Sequence, residues 1–519
     1  MFSKVYGGGL RGINGYLVQV EADVGDGLPQ FHLVGYLASE VREAEERVRR
    51  TIRNSRQRLE PRRITVNLSP AHIRKEGTGF DLPIAAAVLA AYGIIGGNIL
   101  KESAFIGELG LDGRIKPVRG VLPLVLAMED AGMRRCFLPQ ENIPEGLAAE
   151  RMDIVGVQDL KQVIELLKHP DQIRPEQPSI THIGREENVY PVDFSDIGSQ
   201  ELARRATEIA VAGQHNILYI GRPGSGKSMI ARRIPTIMPC LSREEQLEIS
   251  KVYSICGLLP EDHTLMTTRP FRSPHHTITP RAMVGGGTSP RPGEFSLASR
   301  GVLFLDELPE FGRASLEVLR QPLEERRIVI SRIHGACEFP ARFMLAAAMN
   351  PCPCGYYPDR NHCSCTEMEV RKYLGRISRP LLDRIDICVE TAAVTYENIR
   401  DGGNGENSAT IRDRVEASRQ IQKKRFQGSA LLFNSEMTGA DVKHFCPLGN
   451  EEEDFLRQVY QKMELSARAC ERILKVARTI ADLEGGGPIT RAHLSEAASY
   501  RGFEEKYWGR SDTRYGNKG

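Results

Sequence analysis

The stretch from Ile217 to Ser228 constrains this chain more than any other. Ile217-Leu218-Tyr219-Ile220 is an apolar run of strand length. It breaks into Gly221-Arg222-Pro223-Gly224-Ser225-Gly226-Lys227-Ser228, and a helical pattern follows. Glycines at fixed offsets, then a lysine and a hydroxyl, make a phosphate-binding loop. The glycines let successive backbone N–H groups turn into one concavity, and the following helix adds the positive end of its dipole. In such a loop Lys227 reaches the β- and γ-phosphates and the Ser228 hydroxyl holds Mg²⁺. The residues Gly221, Arg222, Pro223, Gly224, Ser225, Gly226, Lys227 and Ser228 are therefore the expected cradle of ATP and Mg²⁺, on an α/β core.

A second motif depends on the first. Gly301 to Leu305 reads as a buried strand ending in Asp306-Glu307, roughly 80 residues after the loop lysine. Asp306 is expected to hold Mg²⁺ through its water shell, and Glu307 to polarise the attacking water as a base. Phe343–Met349 is a further apolar strand and ends in Asn350. An amide at a neighbouring strand tip suits a sensor of the γ-phosphate; the plainer reading is a strand-ending turn before Pro351.

At 519 residues the chain exceeds one core, and roughly three domains is the expectation. Its 69 lysines and arginines nearly balance 67 aspartates and glutamates, so a polyanion site has to be a local patch. No apolar run approaches the roughly 20 residues of a membrane span, and no signal-peptide pattern opens the chain. Eleven cysteines, four of them within Cys352–Cys365, do not look like a disulfide framework, which points to a reducing cytoplasm.

Residues 1–168 read as a mixed α/β domain. Strands are expected at Tyr16–Val24, Ile64–Leu68, Arg135–Leu138 and Asp153–Val157. Ala104–Leu111 and Arg114–Val118 flank Asp112-Gly113 as a hairpin. Helices are expected over Asp81–Ile95, with Asp81 as a cap, near Gly120–Ala131, and up to Lys168. Glu40–Leu59 is an arginine-rich helical segment with interleaved glutamates. That pattern favours a salt-bridged solvated face over a DNA-binding one. Residues 169–191 are a proline-rich linker, 192–394 the nucleotide-binding domain, 395–503 a helical domain broken from it at Asp401–Gly405, and 504–519 a polar tail.

Cys352, Cys354, Cys363 and Cys365 form a C-x-C-x₈-C-x-C cluster beside His362. Four thiolates so close could close tetrahedrally on a structural Zn²⁺; free thiols or a redox pair are the alternative. His275-His276 reads first as packing or hydrogen-bonding loop histidines, with a ligand or DNA contact as the lesser reading.

These residues together resemble AAA+ ATPases of the magnesium-chelatase and MCM-helicase branch. Gly293-Glu294-Phe295-Ser296-Leu297-Ala298 before the acidic strand, and Pro380-Leu381-Leu382-Asp383-Arg384-Ile385-Asp386, carry the likeness. It implies Arg384 as the arginine finger, and Ser466-Ala467-Arg468 implies Arg468 as a second sensor. It also implies that the hairpin around Arg332-Ile333-His334-Gly335 enters a ring's pore, with Arg332 touching DNA; a solvated turn arginine is the equal alternative.

The likeness is closer still to the competence-related ComM/YifB group, from Tyr6-Gly7-Gly8-Gly9-Leu10 through Asn350-Pro351-Cys352-Pro353-Cys354-Gly355 to the C-terminus. It implies a Lon-protease-like α+β first domain, an AAA+ core, a helical lid and a hexameric ring. The partner it implies is single-stranded or branched DNA, with branch migration in natural transformation as the task. Gly79 and Leu122 stand where the protease family has its serine and lysine, so no peptidase activity is expected. A chelatase-type subunit and a nucleotide-switched adaptor are the competing readings.

Overall fold

Alternating buried and half-exposed positions near the N-terminus build a sheet. Strand β1 (Phe2–Arg11) pairs antiparallel with β2 (Asn14–Gly25), with Val5 opposite Val20. The computed structural model describes residues 1–177, 190–198, 200–260, 264–332, 335–393 and 405–508. Strands β3 (Phe31–Val34), β4 (Arg63–Ser69) and β5 (Ser103–Phe105) come next. They are followed by β6 (Glu108–Leu109), β7 (Ile115–Lys116), β8 (Arg135–Pro139) and β9 (Asp153–Val157). All but β6 and β7 form one seven-stranded sheet, ordered β3-β4-β2-β1-β5-β8-β9.

Three expectations change here. The strand read over Ala104–Leu111 is split: β5 joins the main sheet, while β6 turns away to pair with β7. Gly107 stands at the break, where a Cβ would come within 2.7 Å of Ile115. Second, β1 was hidden by its glycines, because an unbroken Gly7-Gly8-Gly9 run is a poor strand former. In the fold those glycines admit neighbours: the Tyr16 ring lies where a Cβ of Gly9 would be, at 2.5 Å. Third, Asp81 opens the helix Asp81–Ala91 but does not cap it. Its buried carboxylate accepts two bonds from Arg47, at 2.7 and 2.9 Å, and the Leu109 N–H at 3.1 Å.

Arg47 belongs to the arginine-rich segment, which forms two helices, Ser39–Arg42 and Ala44–Asn54. Arg47, Arg49 and Arg50 pair with Glu43, Glu45 and Glu46 one turn earlier, at 3.7, 3.4 and 2.5 Å. This is the ion-paired face. The linker stretch begins against the first domain, the Glu176 N–H donating to Ile154 O at 2.8 Å; residues 178–189 lie outside the described residues.

The second sheet is parallel throughout. Its strands are β10 (Ile217–Ile220), β11 (Phe271–Arg272), β14 (Val302–Leu305), β17 (Met344–Met349) and β18 (Ile387–Glu390), ordered β11-β14-β17-β10-β18. Between them lie two hairpins: β12 (Gly285–Gly286) with β13 (Arg291–Pro292), and β15 (Arg327–Arg332) with β16 (Gly335–Pro340). Successive residues of β10 face opposite layers. Ile217 and Tyr219 pack with Val415, Ile473 and Ile480 of the helical C-terminal region, while Leu218 and Ile220 face Phe295, Leu303 and Leu345.

The C-terminal region consists of helices Ser408–Arg425, Gly439–Phe445, Asn450–Lys462, Ala467–Leu483 and Arg491–Ser499. The break at 401–404 lies outside the described residues. The polar tail begins later than expected, because Gly502–Trp508 is a helix. Trp508 Nε1 donates to Leu374 O at 3.1 Å, and Tyr507 Oη donates to Glu390 at 2.5 Å. Residues 509–519 lie outside the description. Among the described residues no helix is long and apolar enough to cross a membrane.

Gly15 tests the first domain. A Cβ there would sit 2.2 Å from the carbonyl oxygen of Pro123, which is helix backbone and cannot swing away. Gly15→Ala is expected to cost at least about 2 kcal/mol, read as a lower urea midpoint for the transition of that domain.

Candidate active site

The parallel sheet places three chain segments side by side. Ile220 of β10 pairs with Met349 of β17, and Leu305 of β14 pairs with Ala347 of β17. Gly221, Asn350 and Asp306 therefore all emerge at the carboxyl edge of the sheet, where ligands of such folds bind. Gly224 and Gly226 take φ of +76° and +82°, and the helix Lys227–Ile237 starts at once. Those left-handed glycines turn the loop N–H groups inward. Gly221 is required for another reason: its Cβ would lie 2.0 Å from Thr391 Oγ1.

Around this loop the polar side chains converge. Lys227 Nζ donates to the carbonyls of Gly221 and Arg222 at 2.8 and 2.9 Å, and to Asn350 Oδ1 at 3.2 Å. Burial pushes its ammonium pKa down, while Asp306 and Glu307 pull it back up. Ser228 Oγ donates to Asp306 Oδ2 at 2.7 Å. Octahedral Mg²⁺ at about 2.1 Å from its ligands holds neighbouring oxygens about 3 Å apart, so this pair fits the ion with a small separation. Glu307 is exposed and has φ of +52°, a strained conformation for a non-glycine residue. Its N–H donates to Asp306 Oδ1 at 3.0 Å.

Three neighbours were not picked out as site residues by the sequence. His276 packs against His275 and edge-on to Phe311, as a packing histidine would, and its Nδ1 also lies 3.6 Å from Glu307 Oε2, beside the acidic pair. Its neighbour His275 bonds locally to Thr277. Thr391 shares a 2.7 Å hydroxyl bond with Ser225, and Gln200 holds Ala392 by two bonds at 2.7 and 2.9 Å. Apart from the His275–Thr277 bond, none of these contacts is local in sequence; the histidine pair itself was the one visible signal.

Arg384 and Arg468 are brought together, away from this cluster. Both line a cavity of about 310 Å³ between the sheet domain and the helical region, with Arg326, Arg342, Asp386 and Lys475, and no residue of the phosphate loop lines it. Arg384 donates to the Pro380 carbonyl and to Glu324.

The four cysteines of the cluster gather next to the loop. Cys352 Sγ lies 3.3 Å from Cys354 and 3.8 Å from Cys363, and Cys365 completes the group. Farther along, the hairpin β15–β16 carries Arg332 exposed at its end, where Arg332 Nε donates to Gly287 O at 3.3 Å. Ile333 and His334 lie outside the described residues. In the first domain, Gly79 has only the apolar Ile106 and Val118 within 4.0 Å of its Cβ position, and Leu122 is fully buried.

Comparison with known proteins agrees with this layout. The family model for "Magnesium chelatase, subunit ChlI" matches residues 193–399, and models for subunit ChlI of Mg-chelatase and its C-terminal part match 20–142 and 405–501. The chain is 40% identical over 503 residues to the competence protein ComM of Haemophilus influenzae, covering 96% of this chain and 97% of that one. It is 39% identical to YifB of Escherichia coli, over 95% and 96% of the two chains. A Lon protease of Mycolicibacterium smegmatis is 25% identical over 166 residues, 30% of this chain and 21% of the protease.

Two substitutions separate binding from hydrolysis here. Lys227→Ala is expected to lose ATP binding and turnover together. Glu307→Gln is expected to keep ATP binding, stabilise the oligomer and lose turnover by at least about 100-fold, the low end for a positioned base. Equilibrium binding of a fluorescent ATP analogue, phosphate release and sedimentation separate the two; loss of binding in folded Glu307→Gln protein counts against the assignment.

Proposed function

Because this chain belongs to the ComM/YifB family of magnesium-chelatase-like AAA+ ATPases, with its Lon-like first domain, we propose that it is a ring-forming motor that hydrolyses ATP to move branched DNA. Branch migration on single-stranded and junction DNA during natural transformation is the task this reading assigns, in a hexameric cytoplasmic ring. Its first domain serves as a scaffold without peptidase activity.

In the proposed mechanism the loop N–H groups and Lys227 hold the β- and γ-phosphates. Ser228 and Asp306 are the residues that would hold Mg²⁺, which supplies charge neutralisation on the phosphate oxygens. Glu307 orients and deprotonates water, Asn350 reports the γ-phosphate to its strand, and His276 stands beside the Glu307 carboxylate at 3.6 Å. Arg384 and Arg468 share a cavity that excludes the phosphate loop of their own chain, which supports their acting on a neighbour's nucleotide. A supplied arginine of this kind is worth roughly 10³ to 10⁵ in rate, or about 4 to 7 kcal/mol of barrier. Chains mutated at Arg384→Ala, mixed with Lys227→Ala chains, are expected to regain part of the hydrolysis at mixed interfaces. No regain in rings shown to mix would make Arg384 structural.

The observation that carries the DNA reading is a set of exposed arginines around the β15–β16 hairpin. Arg332 Nη2 and Arg281 Nε reach 3.4 and 3.5 Å from the Cβ position of Gly286, and Arg291 pairs with Gly286 across β12–β13. Arg11 of the first domain reaches 3.7 Å from the Cβ position of Gly335. Among the described residues none of the four has a carboxylate partner, whereas Arg272 with Glu294 and Arg327 with Glu338 do. In a chain with net charge of only +2, four exposed arginines thus lie around one hairpin. Backbone phosphates are what such a patch recognises, with steep salt dependence and little sequence preference.

DNA is therefore expected to stimulate the ATPase, and hydrolysis to move three- and four-stranded junctions. Arg332→Ala is expected to lose most of the DNA stimulation while basal turnover and assembly stay within about twofold of wild type, because a phosphate contact lies outside the hydrolytic cluster. A wild-type ring indifferent to DNA at low salt, with junctions unmoved, would instead favour a chelatase-type subunit or an adaptor.

A further inference from the structure

The cysteine loop gathers four sulfurs and forms a wall of the phosphate site. We propose that Cys352, Cys354, Cys363 and Cys365 bind one Zn²⁺ and that this metal holds the loop against Arg222 and Pro223, so that zinc occupancy sets ATP affinity. The inference rests on the nucleotide reading of the loop and extends it to a second, separate ligand.

The sulfur geometry matches the metal. Zinc at about 2.3 Å from four sulfurs places them about 3.8 Å apart, whereas a disulfide brings two to about 2.05 Å. The observed separations are 3.3 Å for Cys352–Cys354, 3.8 Å for Cys352–Cys363 and 3.6 Å for Cys354–Cys363, and all four sulfurs lie within 4.8 Å of one another. The backbone is arranged for thiolates: the N–H groups of Gly355 and Tyr357 donate to Cys352 Sγ at 3.2 and 3.4 Å. Such bonds steady a sulfur ligand from the outer shell. His362 hydrogen-bonds Asp359 through Nδ1 at 2.8 Å and is not among the gathered ligand atoms, which are the four sulfurs of a tetrahedral set. Four soft sulfurs and no oxygen select zinc over magnesium or calcium. Binding releases the thiol protons and leaves a site of net charge −2.

The loop touches the phosphate cradle at three points. Gly355 packs so closely that a Cβ would sit 2.4 Å from Pro223 Cδ. Arg222 donates to Asp359 at 2.8 Å, and its guanidinium lies 5.2 Å from the Tyr356 ring centre. Cys352 is also only two residues past Asn350, which meets Lys227. A short loop without regular secondary structure holds such contacts only if something fixes its ends, and the four sulfurs are positioned to do that.

The test uses the full chain. Elemental analysis is expected to find about one zinc per chain, and X-ray absorption four sulfurs at about 2.3 Å. Cys352→Ser and Cys363→Ser are expected to lose the metal and bind a fluorescent ATP analogue about tenfold more weakly, near 1.4 kcal/mol. Cys470→Ser, outside the cluster, is expected to change neither. Wild-type protein stripped with a zinc chelator gives the same readout if a serine variant fails to fold, and added Zn²⁺ is expected to restore binding. Asp359→Asn is expected to keep the zinc and still weaken the analogue. A folded, metal-free chain, or one carrying iron or copper, overturns the zinc site. Metal loss with unchanged affinity overturns the coupling. A chain that holds zinc yet binds no ATP analogue instead overturns the nucleotide reading and leaves the metal site standing.

Discussion

Everything at the proposed active site depends on the register of three parallel strands. β17 lies between β10 and β14, and its interior is Leu345-Ala346-Ala347-Ala348, all buried. Small side chains there let helices pack closely on both faces of the sheet. Because Ile220, Met349 and Leu305 fall near the same edge, the next residue of each strand enters the same space. A slip of one residue in β17 would turn Asn350 to the other face and remove the partner of Lys227. The polar contacts at the edge, each near 3 Å, are thus an outcome of apolar packing beneath them.

How much of this was legible in the sequence follows from how local each determinant is. The phosphate loop, the acidic pair and the cysteine cluster are contiguous patterns, and in the fold the loop joins β10 to a helix, the pair follows β14 and the four sulfurs gather within 4.8 Å. The helical C-terminal region was equally readable, since its apolar spacing and its glycine and proline breaks are local. Strand β1 was not, because its run of glycines answers to neighbours brought by folding: Tyr16 at Gly9, and Leu124 and Met128 at Gly8. Asp81 looked like a helix cap because capping is the commonest local use of aspartate at a helix start. Its actual partner, Arg47, sits 34 residues away. His276 had the same problem: nothing near it in sequence names Glu307.

The arginines divide into two populations. Those of the Ala44–Asn54 helix are matched by glutamates one turn away and are spent on folding. Among the described residues, Arg11, Arg281, Arg291 and Arg332 around Gly286 and Gly335 have no such match. Composition cannot separate them, and a net charge of +2 by itself says nothing of where the unmatched arginines lie. Local charge balance, read in three dimensions, distinguishes a solvated face from one with work left to do.

The turn that joins β1 to β2 has a mechanical consequence. Gly12 lies where a Cβ would be 3.3 Å from the Glu338 carbonyl of β16, and Ile13 beside it packs into the apolar cluster under the second sheet. The β15–β16 ribbon is only two strands wide, and a free ribbon of that width bends easily. Here its flank rests on a hairpin rooted in a seven-stranded sheet. Sideways thrust on the ribbon is therefore transmitted into the first domain instead of being dissipated as bending. The hairpin and the ribbon are in this way one mechanical unit across two sheets.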